Sequence, residues 1–217
     1  MITLEKVTKF YRMKTGRKYI LRDQDMHFQT GKSYGILGVN GAGKSTTMRL
    51  ISGAEMPNKG HIRRTVRVSW TLGFVNGFNT ELSGKENIKF IARAYGEDYR
   101  RVLQFVSEFA EIGAYINEPM KTYSSGMGSR FAFGLSMAIE FDCYLVDEIT
   151  AVGDANFQER CRAAFKARRE HADVIMISHD MGTIMEYCDV AIVLIDGHMV
   201  YFENIEDAIA TYMRLNR

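Results

Sequence analysis

Cysteine, proline and long apolar runs are all scarce in this chain of 217 residues. Its three cysteines, Cys143, Cys161 and Cys188, are widely spaced and lack any CxxC or nearby Cys/His pattern. That argues against a disulfide framework and against a zinc site, and leaves buried reduced thiols as the expectation. Only 2 prolines accompany 19 glycines, and 46% of residues are apolar against 25% charged, so collagen-like and disordered classes are excluded. No apolar stretch approaches the roughly 18 residues of a membrane-spanning helix. The longest useful run is Val190 to Ile195. Met1 to Arg12 alternates apolar and polar residues without a segment of signal-peptide length, which places the chain in the cytoplasm by expectation. Net charge is also small, at +2, yet it conceals an asymmetry. Residues 1–70 carry fourteen Lys and Arg against four Asp and Glu, and the rest carries fourteen against twenty-two. A basic first third points to an anion, whether nucleotide phosphate, nucleic acid or lipid headgroup.

What is present reads as one α/β domain. Ile2 to Val7, Tyr19 to Phe28 and Tyr34 to Leu37 are short strand patterns, and a glycine-rich loop and a helix follow the third. A turn at Pro57, Asn58 and Gly60 leads into one strand-like run from His61 to Trp70. From Ser83 the pattern changes to helix: Ser83 and Glu86 have capping-box spacing, and Ile88, Ile91, Ala92 and Tyr95 form one stripe. Val102, Phe105, Val106 and Phe109 repeat it. After about residue 140, Cys143 to Val146, Phe157 to Glu170, Val174 to Ile177, a short helix and Val190 to Ile195 alternate strand with helix. Continuous apolar strands between helices indicate a parallel sheet covered on both faces. Ile205, Ala208, Ile209 and Tyr212 close the chain as an amphipathic helix. The expected architecture is a single domain over 1–217: an α/β core with a mostly parallel sheet, an N-terminal antiparallel β layer, and an inserted helical subdomain over roughly 84–140.

The strongest chemical signal is Gly38-Val39-Asn40-Gly41-Ala42-Gly43-Lys44-Ser45, a match to G-x-x-x-x-G-K-[ST] between an apolar strand and a helix. Its glycines let backbone N–H groups turn inward around phosphate oxygens. Lys44 is placed to reach the β- and γ-phosphates, and Ser45 to ligate Mg²⁺ at a helix N-terminus whose dipole favours anions. A phosphate loop needs an acidic partner, which Tyr144-Leu145-Val146-Asp147-Glu148 supplies at the end of an apolar strand. Asp147 is the second metal-holding candidate, and Glu148 the candidate general base toward water. His179 ends the next apolar strand, and a histidine there, taken by itself, is more often a hydrogen-bonded structural residue than a γ-phosphate sensor. Tyr123-Ser124-Ser125-Gly126-Met127 precedes a helix whose first turn could hold an anion or simply be capped.

In order and spacing these parts resemble the nucleotide-binding subunit of ABC transporters along essentially the whole chain. The resemblance implies that Tyr11 stacks on adenine. Residues 38–45 match the Walker A loop, with Thr46 directly after it among the nucleotide contacts, and residues 144–148 match the Walker B strand. Ser124 and Gly126 match the signature motif, which in the family contacts the γ-phosphate of ATP bound to the other subunit. Asp154 matches the D-loop and His179 the switch histidine. Two departures stand out: Tyr123, Ser125 and Met127 replace the family's Leu, Gly and Gln, and residues 70–84 contain no Gln for a Q-loop. Asn76 and Asn79 are the amides nearby. The same stretch, Ser69 to Phe74, Gly77-Phe78, Leu82 to Asn87, Tyr123 to Met127 and Val146 to Asp154, is similar to the ATPases of bacterial polysaccharide exporters, most of all the capsular type.

The resemblance implies an ATP-hydrolysing subunit using ATP and Mg²⁺, with Glu148 and His179 catalytic. It implies a head-to-tail homodimer and two copies of a separate transmembrane permease that makes most of the contact with the polysaccharide. The chain would then sit peripherally on the cytoplasmic face of the bacterial inner membrane. Alternatives are an O-antigen or teichoic acid exporter, whose ATPases tend to carry C-terminal extensions where this chain stops at Arg217, and a soluble ABC-type ATPase acting on DNA or the ribosome. The last lacks a coiled-coil insertion, duplication or continuous basic helix here, so no nucleic acid partner is expected. The basic residues Arg12, Lys14, Arg17, Lys18 and Arg22 around Tyr11 are instead expected to form a solvated face that attracts ATP.

Overall fold

The computed structural model describes residues 1–72, 77–147 and 154–216, and divides into two compact units. The first comprises Met1–Thr71, Phe141–Ile149 and Ala172–Arg217, and the second Leu72–Glu140 and Thr150–His171.

The first unit opens with two long strands, β1 (Ile2–Met13) and β2 (Gly16–Phe28). They pair antiparallel, and β4 (Lys59–Arg64) joins the other edge of β1. Apolar Ile2, Leu4, Val7, Ile20 and Leu21 turn to the core. Strands this long must bend to stay on one core. Register shifts at Leu4/Val7 and Val7/Lys9 provide the bend, with Lys6 at φ 50 and its backbone N–H donating to Asp25 Oδ1 at 2.8 Å.

A six-stranded sheet runs in the order β5 (Val68–Thr71), β6 (Cys143–Asp147), β7 (Asp173–Ile177), β3 (Tyr34–Leu37), β8 (Val190–Ile195), β9 (His198–Phe202). All its pairings are parallel except β8 with β9. The central strands are buried along nearly their whole length, as continuous apolar runs covered on both faces must be. Helix α1 (Lys44–Ser52) leaves β3, α6 (Met181–Tyr187) lies between β7 and β8, and α7 (Ile205–Leu215) follows β9.

The second unit is helical: α2 (Gly84–Tyr95), α3 (Tyr99–Ala110), α4 (Ser125–Ala138) and α5 (Ala155–Arg169). The capping box is formed, with Ser83 N–H on Glu86 Oε2 at 2.8 Å and Glu86 N–H on Ser83 Oγ at 3.2 Å. Gly84 is required there, because a Cβ would lie 2.5 Å from the Tyr123 hydroxyl. Val102, Val106 and Phe109 bury the stripe of α3, and Phe109 meets Phe133 of α4 and Phe157 of α5.

The expected α/β class, the mostly parallel sheet and the antiparallel layer are all present. Two details differ. The run from His61 to Trp70 is two strands in two sheets, β4 and β5. The ladder of β4 ends at Arg64, the Thr65 N–H turns to Met1 O, and both the N–H and C=O of Arg67 bond Asp142 instead. The sequence pattern also gave no strand after Ile195, where β9 forms a hairpin with β8 through Asp196-Gly197, both at positive φ. All three cysteines are buried, and burial pushes the thiols of Cys143 and Cys161 up to about 12, so they stay protonated and inert.

Candidate functional site

Register decides which side chains meet. In the parallel ladder, Ile36 of β3 pairs with Ile177 of β7, and Ile177 pairs with Asp147 of β6. Three neighbouring strands therefore end at one level, where Asp147 closes β6, the glycine loop leaves β3 after Leu37, and Ser178-His179 leave β7 after Ile177. Open parallel sheets bind ligands at this carboxyl edge, where connections to either side diverge.

A cavity of about 610 Å³ opens there. Asn40, Gly41, Gly43, Lys44, Ser45 and Thr46 line it, together with Tyr11, Asp147 and His179. The sequence pattern did not single out Ile20 or Ile177, which also contribute. Neither carries a polar signal, and only the fold brings them here.

The loop's shape follows from its glycines. Gly43 caps α1 at φ 103, and a Cβ there would lie 2.4 Å from Ile20 Cγ2, so no other residue fits. Ala42 N–H donates to Val39 O at 3.0 Å, and Thr47 N–H to Gly43 O at 2.8 Å, which closes the turn into the helix. Lys44 folds over the loop, its Nζ donating to Gly38 O at 2.6 Å. No acidic residue occupies the first turn of α1, so no side chain of that turn competes for its N-terminal dipole. Gly38 does not line this cavity, and its carbonyl accepts from Lys44, while Val39 and Ala42 line a second cavity.

Tyr11 is held firmly. Its hydroxyl donates to Glu55 Oε1 at 2.7 Å and lies 3.4 Å from Thr46 Oγ1. Glu55 also receives Lys9 Nζ at 2.8 Å and Arg49 Nε at 3.1 Å. Burial acts to raise the Glu55 carboxyl, but hydrogen bonds from Lys9, Tyr11 and Arg49 outweigh it and bring it down to about 2. The carboxylate therefore stays charged throughout the neutral range. The sequence pattern did not identify Glu55; its contacts with Tyr11 and Lys9 span more than 40 residues, and no local motif marks them.

The basic residues around Tyr11 divide. Lys18 lines the cavity, and its Nζ lies 3.9 Å from where a Cβ on Gly41 would stand. Arg17 and Arg22 lie over aromatic faces, those of Phe10 at 4.6 Å and Tyr19 at 4.0 Å.

The remaining candidates belong to the second unit. Ser124 caps α4, its Oγ accepting from Met127 N–H at 3.2 Å, and Gly126 follows in the first turn. Asp154 caps α5 by accepting from Phe157 N–H at 3.0 Å and pairs with Arg130 of α4 at 2.6 Å. The Phe157 N–H, aided by Arg130, holds its carboxyl below the usual carboxylate range. Glu148 and Asn76 lie outside the described residues. Asn79 accepts and donates to the buried Asn87 of α2, both at 3.0 Å, which pins residue 79 to that helix.

Among the described residues no helix is long and apolar enough to cross a membrane. The ABC transporter family profile matches residues 21–151. The chain is 47% identical over 215 residues to the polysialic acid transport ATP-binding protein KpsT of Escherichia coli, covering 98% of this chain and 96% of that protein. It is 46% identical over 215 residues to the capsule polysaccharide export ATP-binding protein CtrD of Neisseria meningitidis serogroup B, covering 99% of this chain and 100% of that one. Among solved structures, a post-hydrolysis dimer of the ATP-binding cassette MJ0796 with ADP and Pi has the same fold, at TM-score 0.74 and 21% identity, covering 92% of this chain and 96% of that chain.

Proposed function

Because the chain belongs to the ABC transporter family and is one of its ATP-binding, ATP-hydrolysing components, we propose that it drives export of a capsular polysaccharide across the bacterial inner membrane. The polymer class rests on relatives of 46–47% identity named for polysialic acid transport and capsule export. The ATPase chemistry rests above all on one juxtaposition: the Lys44 loop, Asp147 and His179 converge on a single cavity from adjacent strands.

The two units together act as one nucleotide-binding cassette. Lys44 and the N–H groups of residues 40, 41 and 43–45 hold the β- and γ-phosphates, the Ala42 N–H being spent on Val39 O within the loop, and Tyr11 stacks on the base. The donor set suits Mg²⁺: the Ser45 hydroxyl and Asp147 carboxylate are hard oxygens lining the same cleft, and no group of three or more His, Cys, Asp or Glu suited to a metal occurs among the described residues. Two protein ligands with phosphate and water completing the shell is the usual way Mg²⁺ is held beside a nucleotide. Held by Ser45 and Asp147, Mg²⁺ would supply positive charge to offset that of the phosphates. Glu148, directly after Asp147, takes a proton from the attacking water, and His179 hydrogen-bonds the γ-phosphate as the P–O bond to the leaving ADP breaks.

Ser124 and Gly126 sit on the other unit, with Asp154 salt-bridged to the same helix. Their role is in a head-to-tail homodimer, where the α4 N-terminus of one copy faces the γ-phosphate held by the other. Closure on ATP and reopening after hydrolysis are passed to two permease subunits that line the polysaccharide path. The chain itself binds at the cytoplasmic face of the membrane.

Glu148→Gln tests the chemistry. Turnover of the purified protein with its membrane partner is expected to fall by about 10²- to 10⁴-fold, the usual contribution of a general base. Wild-type turnover would remove Glu148 from the role.

A further inference from the structure

The aromatic wall of the cleft is fixed by a carboxylate outside every motif in the chain. Glu55 lies in the turn after α1, and three side chains from two elements converge on it: Tyr11 and Lys9 from β1, and Arg49 from α1. The Lys9 side chain is only 9% exposed, and its Nζ stands 5.3 Å from the centroid of the Tyr11 ring, over one face. Arg49 also donates to Thr46 Oγ1 at 3.0 Å, and Thr46 follows Ser45 in the phosphate loop.

A Glu55 that merely neutralised the buried Lys9 would need no contact with Tyr11. Yet the Tyr11 hydroxyl bond, at 2.7 Å, is as short as the ion pair with Lys9 at 2.8 Å. The hydroxyl bond at the far end of the ring restrains the swing of the side chain about χ1, and Lys9, itself held by Glu55 over one face, restrains the rotation of the ring plane. We propose that Glu55 is a positioning residue for the base of the nucleotide, holding the Tyr11 ring with one face against Lys9 so that the opposite face is ready to stack. The proposal rests on the reading of the cleft as an ATP site. The ordering of the ring is completed on folding, so binding does not have to supply it. Lys9 adds to the effect, because a cation on one face of an aromatic ring orients it electrostatically.

Two probes separate base recognition from phosphate recognition: Mg·ATP and Mg·tripolyphosphate, titrated calorimetrically against the full chain. Tyr11→Phe removes only the hydroxyl and leaves the Glu55, Lys9 and Arg49 ion pairs intact, so its folding is not at risk. It is expected to raise the Kd for Mg·ATP by roughly 3- to 10-fold, the cost of ordering one side chain, without changing that for Mg·tripolyphosphate. Glu55→Gln is expected to do the same, and the double variant to add little, since both cut one tether. A wild-type Kd for Mg·ATP in Tyr11→Phe overturns the proposal. Equal weakening of both probes also overturns it, because the network would then act on the phosphate loop through Thr46. If the wild-type chain holds Mg·tripolyphosphate as tightly as Mg·ATP, the base is not read at Tyr11; if it binds neither, the ATP reading of the cleft falls with it.

Discussion

The cleft at the sheet edge and the start of α4 both present residues suited to phosphate, but they are built differently. In the first unit, loop, acid and histidine come from three strands fixed side by side by backbone ladders, and all line one cavity. In the second, Ser124 and Gly126 sit at an exposed helix start, and the ion pairs nearby bind that unit to itself: Arg130 with Asp154 and Glu111, and Arg160 with Glu111. On our reading the contrast teaches that the first region is a binding site within one chain, whereas the second is a surface that presents Ser124 and Gly126 outward. A nucleotide needs the first to bind and, on our reading, the second region of another copy to react.

The comparison breaks most severely at Gly43. Gly43→Val puts a side chain where Ile20 stands 2.4 Å away and at φ 103, so the loop cannot keep its shape. Mg·ATP binding by calorimetry is expected to be lost altogether, and turnover with it; retained affinity would mean that the loop is not the phosphate cradle. A smaller effect sharpens the first region. Lys18→Ala is expected to weaken Mg·ATP binding about 3- to 10-fold and to flatten its salt dependence, as for one partly screened phosphate contact. Arg17→Ala, whose guanidinium lies over Phe10, is expected to stay within about twofold, because screened surface charges contribute little. Equal effects of the two would return the whole hairpin to being a diffuse attractant.

Contiguity decides what was legible in the sequence. The phosphate loop, the Walker B strand and the Ser83–Glu86 box are short patterns whose chemistry needs neighbours in the chain, and β3 and β8 take the bounds that their apolar runs suggest. Glu55 could not be read this way, since its contact with Tyr11 joins residues 44 apart. Nor could the split of residues 61–70, which depends on Asp142, 75 residues from Arg67. The hairpin of β8 and β9 is a different case: Asp196-Gly197 carries a strong local turn signal, while the exposed Val200 and Tyr201 blur the strand that follows. Helix α5 reads as part of a βαβ alternation, yet its contacts group it with the helical unit, where Phe157 packs on Phe109.

Gly126 tests most directly whether binding the nucleotide and completing the site are separate. A Cβ there meets nothing closer than Ser124 Oγ at 4.0 Å, so Gly126→Asp adds a negative charge without disturbing the fold. With Mg·ATP affinity of the chain and turnover with its membrane partner measured side by side, affinity should stay within about twofold, while turnover should fall by roughly 100-fold or more, as when an oxyanion-stabilising contact is lost. Wild-type turnover, or a parallel loss of affinity in the chain alone, would contradict the account.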